Sequence, residues 1–455
     1  MKLTQAGAQA IIDHVASGEP PDYNHYYYSS GLEPFLTSLA REYLSDYLVA
    51  GGSAFKLLVG PAGSGKTHMC YALRDLAWQH NYAVAYLPFD ETGAAFANLV
   101  SLYQQISQLL IVPPYGYRRA ATTGPLAPEP LLHAPLPEER GLASVLQGWY
   151  ARSYARACRE LLSADKTSTT PPSHDAIHTK LSQQLATTAA TLQTDNTNLT
   201  RALLAALEAL VTDQPRVFEA MLDWLYGQNF SKVWHKKRYG ISEPVSARNA
   251  LSLICGISQW LRFMGYGGLI ILLDAKYAAP ERASKTQVAH LINLLSVVND
   301  TANQRMSHVM WVYATADRAF LEGGAQVHLA LKQRLSSVFD SDLNPSGVHI
   351  DLATLLPLTR EHLEDTAYKL AYLHEVAYSQ PFGDETMLET CINMVIEHLL
   401  ASQTSSPVVQ SKTASGQQVS QRGSVKALSQ ALDVLHVESR IISSAELNQL
   451  LEAEV

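Results

Sequence analysis

Apolar residues recur along the chain with two different periods. In residues 4–17, Ile11, Ile12 and Val15 share one face at helical spacing, and the segment stops at Gly18-Glu19-Pro20-Pro21. Residues 31–49 repeat the pattern with Leu32, Phe35, Leu36, Leu39 and Tyr43, which predicts a second amphipathic helix. Short apolar strands then interrupt the helical spacing at 55–59, 83–87, 269–273 and 309–315, with 348–352 as a fifth, and the run at 269–273 is continuously apolar. Apolar on both sides, such a run is what the centre of a parallel sheet requires. Helical segments lie between them, at 66–80, 94–111, 139–163, 199–227, 246–264 and 284–299. After 352 the strands stop. Residues 360–378, 385–401 and 423–436 read as helices, the last with Val425, Leu428, Leu432 and Leu435 on one face. Strands alternating with helices, then helices alone, predict an α/β fold: a parallel sheet followed by a helical C-terminal part.

Three stretches break the pattern. Pro113, Pro114, Pro125, Pro128, Pro130, Pro135 and Pro137 mark a loop. Residues 164–198, rich in Thr, Ser and Gln around Pro171-Pro172, predict a mobile linker leading into a polar helix. Residues 402–421, rich in Ser, Gln and Thr, predict a flexible loop. The expected division is N-terminal helices and the first half of a sheet domain over 1–111, and a mostly helical insertion over 112–245. The second half of the sheet follows over 246–355, and a helical lid over 356–455. No internal repeat is evident.

Composition narrows the picture. With 47% apolar and 17% charged residues in 455, the chain can bury a sizeable core. A net charge of −8 argues against a surface built throughout for nucleic acid, but not against a local basic patch. Cys70, Cys158, Cys255 and Cys391 are scattered with no C-x-x-C, so free thiols in a reducing cytosol are expected, not disulfides or zinc. The N-terminus lacks the apolar core of a signal peptide, and the apolar run at 268–273 is too short to cross a bilayer. A soluble, cytoplasmic protein with no membrane partner is expected.

The chemistry concentrates between the first strand and its helix. Gly60-Pro61-Ala62-Gly63-Ser64-Gly65-Lys66-Thr67 matches G-x-x-x-x-G-K-[ST] in full, and His68 follows. Glycines let backbone N–H groups converge on phosphates, and the helix turns its positive end to the same oxygens. Lys66 supplies charge to the β- and γ-phosphates of ATP, and the Thr67 hydroxyl reaches Mg²⁺. A second acid must steady that metal, usually at the end of an apolar strand, and Asp274 closes the run at 269–273.

The residue after it departs from expectation. Hydrolytic P-loop enzymes often place a glutamate there to polarise water, whereas this chain reads Ala275-Lys276-Tyr277, with no carboxylate before Glu281. Three explanations stand side by side: ATP is bound and hydrolysed slowly, Asp90 or Glu91 positions the water, or a glutamate has been replaced by alanine. Thr315, ending the strand 309–315, is a candidate for the γ-phosphate or the water, and equally for ordinary turn chemistry. Arg334 is a candidate finger toward a neighbouring subunit's nucleotide, and equally a solvated helix residue; Arg422, at the start of the last helix, is a weaker candidate to touch the nucleotide from the lid. His235-Lys236-Lys237-Arg238-Tyr239 is the clearest basic cluster; it fits a grip on phosphate backbone with Trp234 or Tyr239 stacking on bases, or a solvated loop. Aromatics from Tyr23 to Tyr28 could wall an adenine ring or simply pack the N-terminal helix. A small-molecule kinase is disfavoured, since no arginine-rich lid segment is evident.

QAIIDHVASGEPP followed by a helix and GPAGSGKTH resembles the opening of a family of bacterial AAA+-like ATPases that includes the ATP-binding proteins of BREX phage-defence systems. Further blocks resemble the same family: Trp224-Leu225 in FEAMLDWLYGQNF, the Asn249-Ala250 pair, Gly265-Tyr266-Gly267-Gly268-Leu269 before the acidic strand, and LTREHLEDTAYKLAYLHEVAY as a lid helix. Outside 112–198 the resemblance covers most of the chain. It implies a P-loop NTPase fold of AAA+ type with a long helical insertion and a C-terminal helical lid. It also implies ATP and Mg²⁺ as cofactors, self-association or other defence-system proteins as partners, and a role against phage DNA. The family usually has Asp-Glu where this chain has Asp274-Ala275, which touches hydrolysis and leaves nucleotide binding intact.

Overall fold

A computed structural model describes residues 3–89, 96–114, 139–164, 172–275, 285–316, 318, 321–322, 325–404 and 420–452. Asp90, Glu91, Lys276, Tyr277, Glu281 and Asp317 lie outside them, as do most of the proline-marked loop, the start of the Thr/Ser-rich stretch and most of 402–421.

Helices α1 (Gln5–Ala16) and α2 (Glu33–Leu39) precede strand β1 (Ser53–Val59), which is followed by α3 (Lys66–Gln79), β2 (Ala83–Phe89) and α4 (Leu99–Leu109). Helices α5 (Gly141–Ala164), α6 (His174–Thr191), α7 (Thr197–Val211), α8 (Pro215–Leu225) and α9 (Ala250–Phe263) lead to β3 (Leu269–Ala275). Then come α10 (Lys285–Ala302), β4 (Val309–Thr315), α11 (Gln326–Arg334), β5 (His349–Asp351) and α12 (Leu352–Leu355). The chain closes with α13 (Arg360–Tyr378), α14 (Glu385–Thr404), α15 (Gln421–Glu438) and α16 (Ser444–Glu452).

The five strands form one parallel sheet in the order β2-β3-β4-β1-β5. All residues of β3 and β4 are buried, which is why their sequences are continuously apolar instead of alternating. The alternation reappears in three dimensions. Ala54, Leu58, Val84, Ile270, Leu272, Met310 and Val312 pack with α2 and α3 on one face. Phe55, Leu57, Ala85, Ile271, Leu273, Trp311 and Tyr313 pack on the other with α4, α9 and α10. The helices between β2 and β3 join that second face, so α5 to α8 share one continuous core with the sheet. At the β2 edge, Ile111 exchanges two backbone hydrogen bonds with Val84, which covers part of an otherwise exposed ladder.

A third core unites α13, α14, α15 and α16 with α1, whose Ala8, Ile11, Ile12 and Val15 are buried there. The first helix of the chain therefore packs with the last ones. Among the described residues, no helix is long and apolar enough to cross a membrane.

Four local differences from the sequence reading have physical causes. The helix expected over 199–227 is two, because Asp213 adopts a left-handed φ of 51° and Pro215 opens α8 without needing an N–H partner. The helix expected over 31–49 ends at Leu39 and widens into a π-helical turn, Ala40–Leu44. The basic run is a π-helical turn, Lys232–Arg238, and not a loop. Helix α16 was not anticipated, although Ser443 and Glu446 form a reciprocal cap: Ser443 N–H donates to Glu446 Oε2 at 2.8 Å, and Glu446 N–H to Ser443 Oγ at 3.3 Å.

The blocks quoted for the family resemblance also have structural work. Trp224 Nε1 donates to Glu243 O at 2.9 Å, and Asn249 Nδ2 to Pro244 O at 3.0 Å, which fixes the connection from α8 to α9. Gly268 has φ 144°, and a Cβ there would lie 2.2 Å from His308 O, so β3 can begin against β4 only with glycine.

Candidate functional site

The phosphate loop joins β1 to α3 at the C-terminal edge of the sheet, with Gly63 and Gly65 in left-handed conformations (φ 76° and 93°). Gly60 N–H donates to Thr315 O at 3.1 Å, which ties the loop to the end of β4. Gly60 is also packed tightly, since a Cβ on it would lie 2.3 Å from Ser64 Oγ. Lys66 is buried and curls onto the loop itself, donating to Gly60 O at 2.7 Å and Pro61 O at 2.9 Å. Burial holds its ammonium below the ordinary lysine range, opposed by the nearby Asp274.

Asp274 sits on the α3 face of β3, in step with Ile270 and Leu272, and is fully buried. Its Oδ2 accepts from Thr67 Oγ1 at 2.7 Å and from Tyr86 OH at 3.0 Å. Its Oδ1 has no hydrogen-bond partner among the described residues, and neither does the buried Ser64 Oγ. Tyr86, on β2, is a site residue that the sequence reading missed. Burial, and next the Asp274 charge, push its phenol well above the ordinary range, so it stays protonated and donates. Its only signal in the sequence was its parity on β2, which places it on the α3 face.

A cavity of about 700 Å³ opens beside the loop. Ala62 to His68 form one side; Tyr23, Tyr28, Leu358 and Arg422 are among the others. The aromatic run from Tyr23 to Tyr28 thus contributes wall to this cavity as well as packing. His68 turns its ring toward that segment: Nδ1 lies 3.2 Å from Tyr28 OH and Nε2 2.8 Å from Ser29 Oγ. Burial pushes its imidazole down to about 3. Arg422 reaches the site through its backbone, with N–H donating to Gly63 O at 2.9 Å, so the start of α15 rests on the loop.

The remaining candidates lie apart. Thr315 is buried at the end of β4, and Ala275 at the end of β3. Asp274 pairs in register with Ala314, so Ala275 and Thr315 follow it together onto the face away from α3. Neither lines the cavity. Arg334 is exposed at the last position of α11, away from the cavity lining and without an ion pair among the described residues.

The sequence model of one family, described as BREX system ATP-binding protein BrxC/D, matches residues 3–113 and 132–439. The chain belongs to the BrxC/D family. That match spans the phosphate loop, Asp274, the helices between β2 and β3, and α13 to α15, so it is not carried by the P-loop alone. No curated protein and no solved structure matches the chain. Membership in BrxC/D makes this a member of an ATP-binding, defence-system family.

Proposed function

We propose that the chain binds ATP with Mg²⁺ in this cavity and works as a AAA+-type ATPase, an assembly or DNA-linked component of an anti-phage defence system in the cytoplasm. The observation that carries the reading is the meeting of Thr67 and Asp274 at 2.7 Å, with the second carboxylate oxygen buried and without a hydrogen-bond partner among the described residues. A buried acceptor without a partner costs free energy that a divalent cation would offset. Ser64 Oγ is a second orphan, suited to a phosphate oxygen. Lys66 is held by two neutral carbonyls, and a phosphate would give it a charged acceptor instead.

The residues therefore fit the group. Thr67 and Asp274 would hold Mg²⁺, with Tyr86 keeping the carboxylate oriented. Lys66 and the loop amides of Gly60 to Thr67 would hold the phosphates. Tyr28, Val15 and Leu358 offer apolar surface for a base. Bound Mg²⁺ would neutralise charge on the phosphates.

The place of β4 between the phosphate-loop strand and the acidic strand supports the AAA+ assignment. On this reading 1–111 and 246–355 make the ATPase core, 112–245 an insertion and 356–455 the lid. Arg334, exposed and without an ion pair among the described residues, suits a role toward a neighbouring copy's nucleotide. Thr315 acts through its backbone, steadying Gly60.

A second reading, a nucleotide-gated interaction module with little hydrolysis, is favoured by Ala275. The position of the expected glutamate is an alanine enclosed in the core.

Binding of a fluorescent ATP analogue, measured with and without Mg²⁺ beside phosphate release, tests both. Mg²⁺-dependent binding lost in Lys66→Ala supports the site; no binding by the intact chain sinks it. Turnover that is negligible until Ala275→Glu is introduced selects the gated module, and Lys66-dependent turnover in the unaltered chain selects the ATPase.

A further inference from the structure

The π-helical turn Lys232–Arg238 lies between α8 and α9 and takes no part in the nucleotide site. A buried histidine fixes it. Ser231 N–H donates to His235 Nδ1 at 2.7 Å, and His235 Nε2 donates to Ala220 O of α8 at 2.7 Å. Ser231 Oγ accepts from Trp234 N–H at 3.3 Å, and Phe230 stacks on the imidazole with centroids 5.7 Å apart. With His235 pinned inward, Lys232, Val233, Trp234, Lys236, Lys237 and Arg238 are all turned to solvent.

Their chemistry is unusual for this molecule. The chain carries −8 overall, yet residues 232–238 contribute four cations and no acid. Among the described residues none of these four cations lies within 4 Å of a carboxylate, unlike Arg360 and Arg440, each of which holds one. Arg238 lies over two rings instead, 5.1 Å from the Trp234 centroid and 5.5 Å from that of Tyr239. Trp234 is the exposed one (37%) of six tryptophans; the other five are buried. An exposed indole costs hydration free energy, and four uncompensated cations repel one another. A polyanion carrying flat apolar rings relieves both.

We infer that this turn is a docking surface for single-stranded nucleic acid: Lys232, Lys236 and Lys237 grip consecutive phosphates, and a base stacks on Trp234 beside the Arg238 guanidinium. A single strand fits better than a duplex, because a base must leave its own stack to lie on an indole. A rigid turn, fixed before binding, loses little entropy on docking. None of these residues lines the cavity beside Lys66, so the inference does not rest on ATP being bound or hydrolysed.

The test uses the full chain and a fluorescently labelled oligo-dT strand, read by anisotropy over a salt series, with tryptophan quenching as a second signal. Binding is expected to weaken with salt, with the slope falling by about 0.7 for each cation removed. Lys236→Ala/Lys237→Ala should weaken binding at least tenfold. Trp234→Ala should weaken it roughly fivefold or more and abolish the quenching, while Trp234→Phe, which keeps a stacking face, should retain most of the affinity. The thermal unfolding midpoint should be unchanged in all three, which shows that they fold. Unaltered DNA binding in Lys236→Ala/Lys237→Ala or in Trp234→Ala, equal or tighter binding of duplex DNA, or competition by polyglutamate as effective as by the strand would each overturn the inference.

Discussion

At the scale of single residues, the site sets buried polar atoms that are hydrogen-bonded beside others that have no partner among the described residues. Asp274 has two donors on Oδ2 and none among the described residues on Oδ1. Asp274→Asn keeps an acceptor for Thr67 and Tyr86 but removes the charge. The expected outcome is loss of the Mg²⁺-dependent part of ATP affinity with the Mg²⁺-free part retained; equal losses in both would mean that the carboxylate only supports the fold. Lys66→Ala removes a charge-assisted contact and should weaken ATP roughly tenfold to a hundredfold in a titration. Buried histidines contribute to acid stability, and His374 is the one of them that lies in the C-terminal helices. His374 is fully buried, and neither ring nitrogen finds a partner among the described residues. Burial pushes its imidazole down to about 4, with Asp433 opposing and His436 adding. Between its ordinary value of about 6.5 and 4, the unfolded chain binds a proton that the folded chain refuses. Its contribution is therefore present above 6.5 and is lost as pH falls toward 4, by roughly 3 kcal/mol in full. In His374→Leu the drop in Tm between about pH 7.5 and about pH 5 should shrink; an unchanged drop would place the acid sensitivity elsewhere.

Elements explain why those residues meet. The parallel register sets Asp274 beside Ala314 and Val59 beside Thr315, so three strand ends and the loop share one edge. That alignment depends on β3 starting in the right place, and Gly268 decides it. Gly268→Ala would drive a Cβ into His308 O at a left-handed φ, at a cost of roughly 3 kcal/mol. A clear fall in Tm is expected, and ATP affinity should fall with it if the register carries the site; a Tm equal to that of the unaltered chain would refute the close approach. The elements were also where the sequence could be read most directly. All five strands lie where they were expected; β3 and β4, inside the sheet and buried on both faces, are apolar up to Asp274 and Thr315 near their ends. The turn at His235 escaped, since it depends on a contact with α8 and not on the local pattern, whereas the break at Asp213 had a local signal in Pro215 that the apolar spacing masked.

Over the whole molecule, the phosphate loop is where the three cores come together. The loop follows β1, α3 leaves from it, and the start of α15 rests on Gly63 through the Arg422 N–H. Nucleotide binding should therefore stabilise the lid as well as the sheet. At ATP about a hundredfold above its dissociation constant, mass action gives about 2.7 kcal/mol. Hydrogen exchange should slow at 420–425 together with 60–67 when ATP and Mg²⁺ are added, and not in Lys66→Ala. Protection confined to the loop would mean that the lid is uncoupled.

The sequence by itself determined the phosphate loop, the acidic strand and the alternation that makes the sheet, because each is written in residues close together along the chain. It determined the family as well, through ordered blocks that the match over 3–113 and 132–439 bears out. Only the tertiary structure decided that Tyr86 holds Asp274, that His68 faces Tyr28 and Ser29, and that α1 packs with the C-terminal helices. Those contacts join residues separated by tens to hundreds of positions. No local period encodes which buried face meets which; that is settled when three apolar surfaces are removed from water at once.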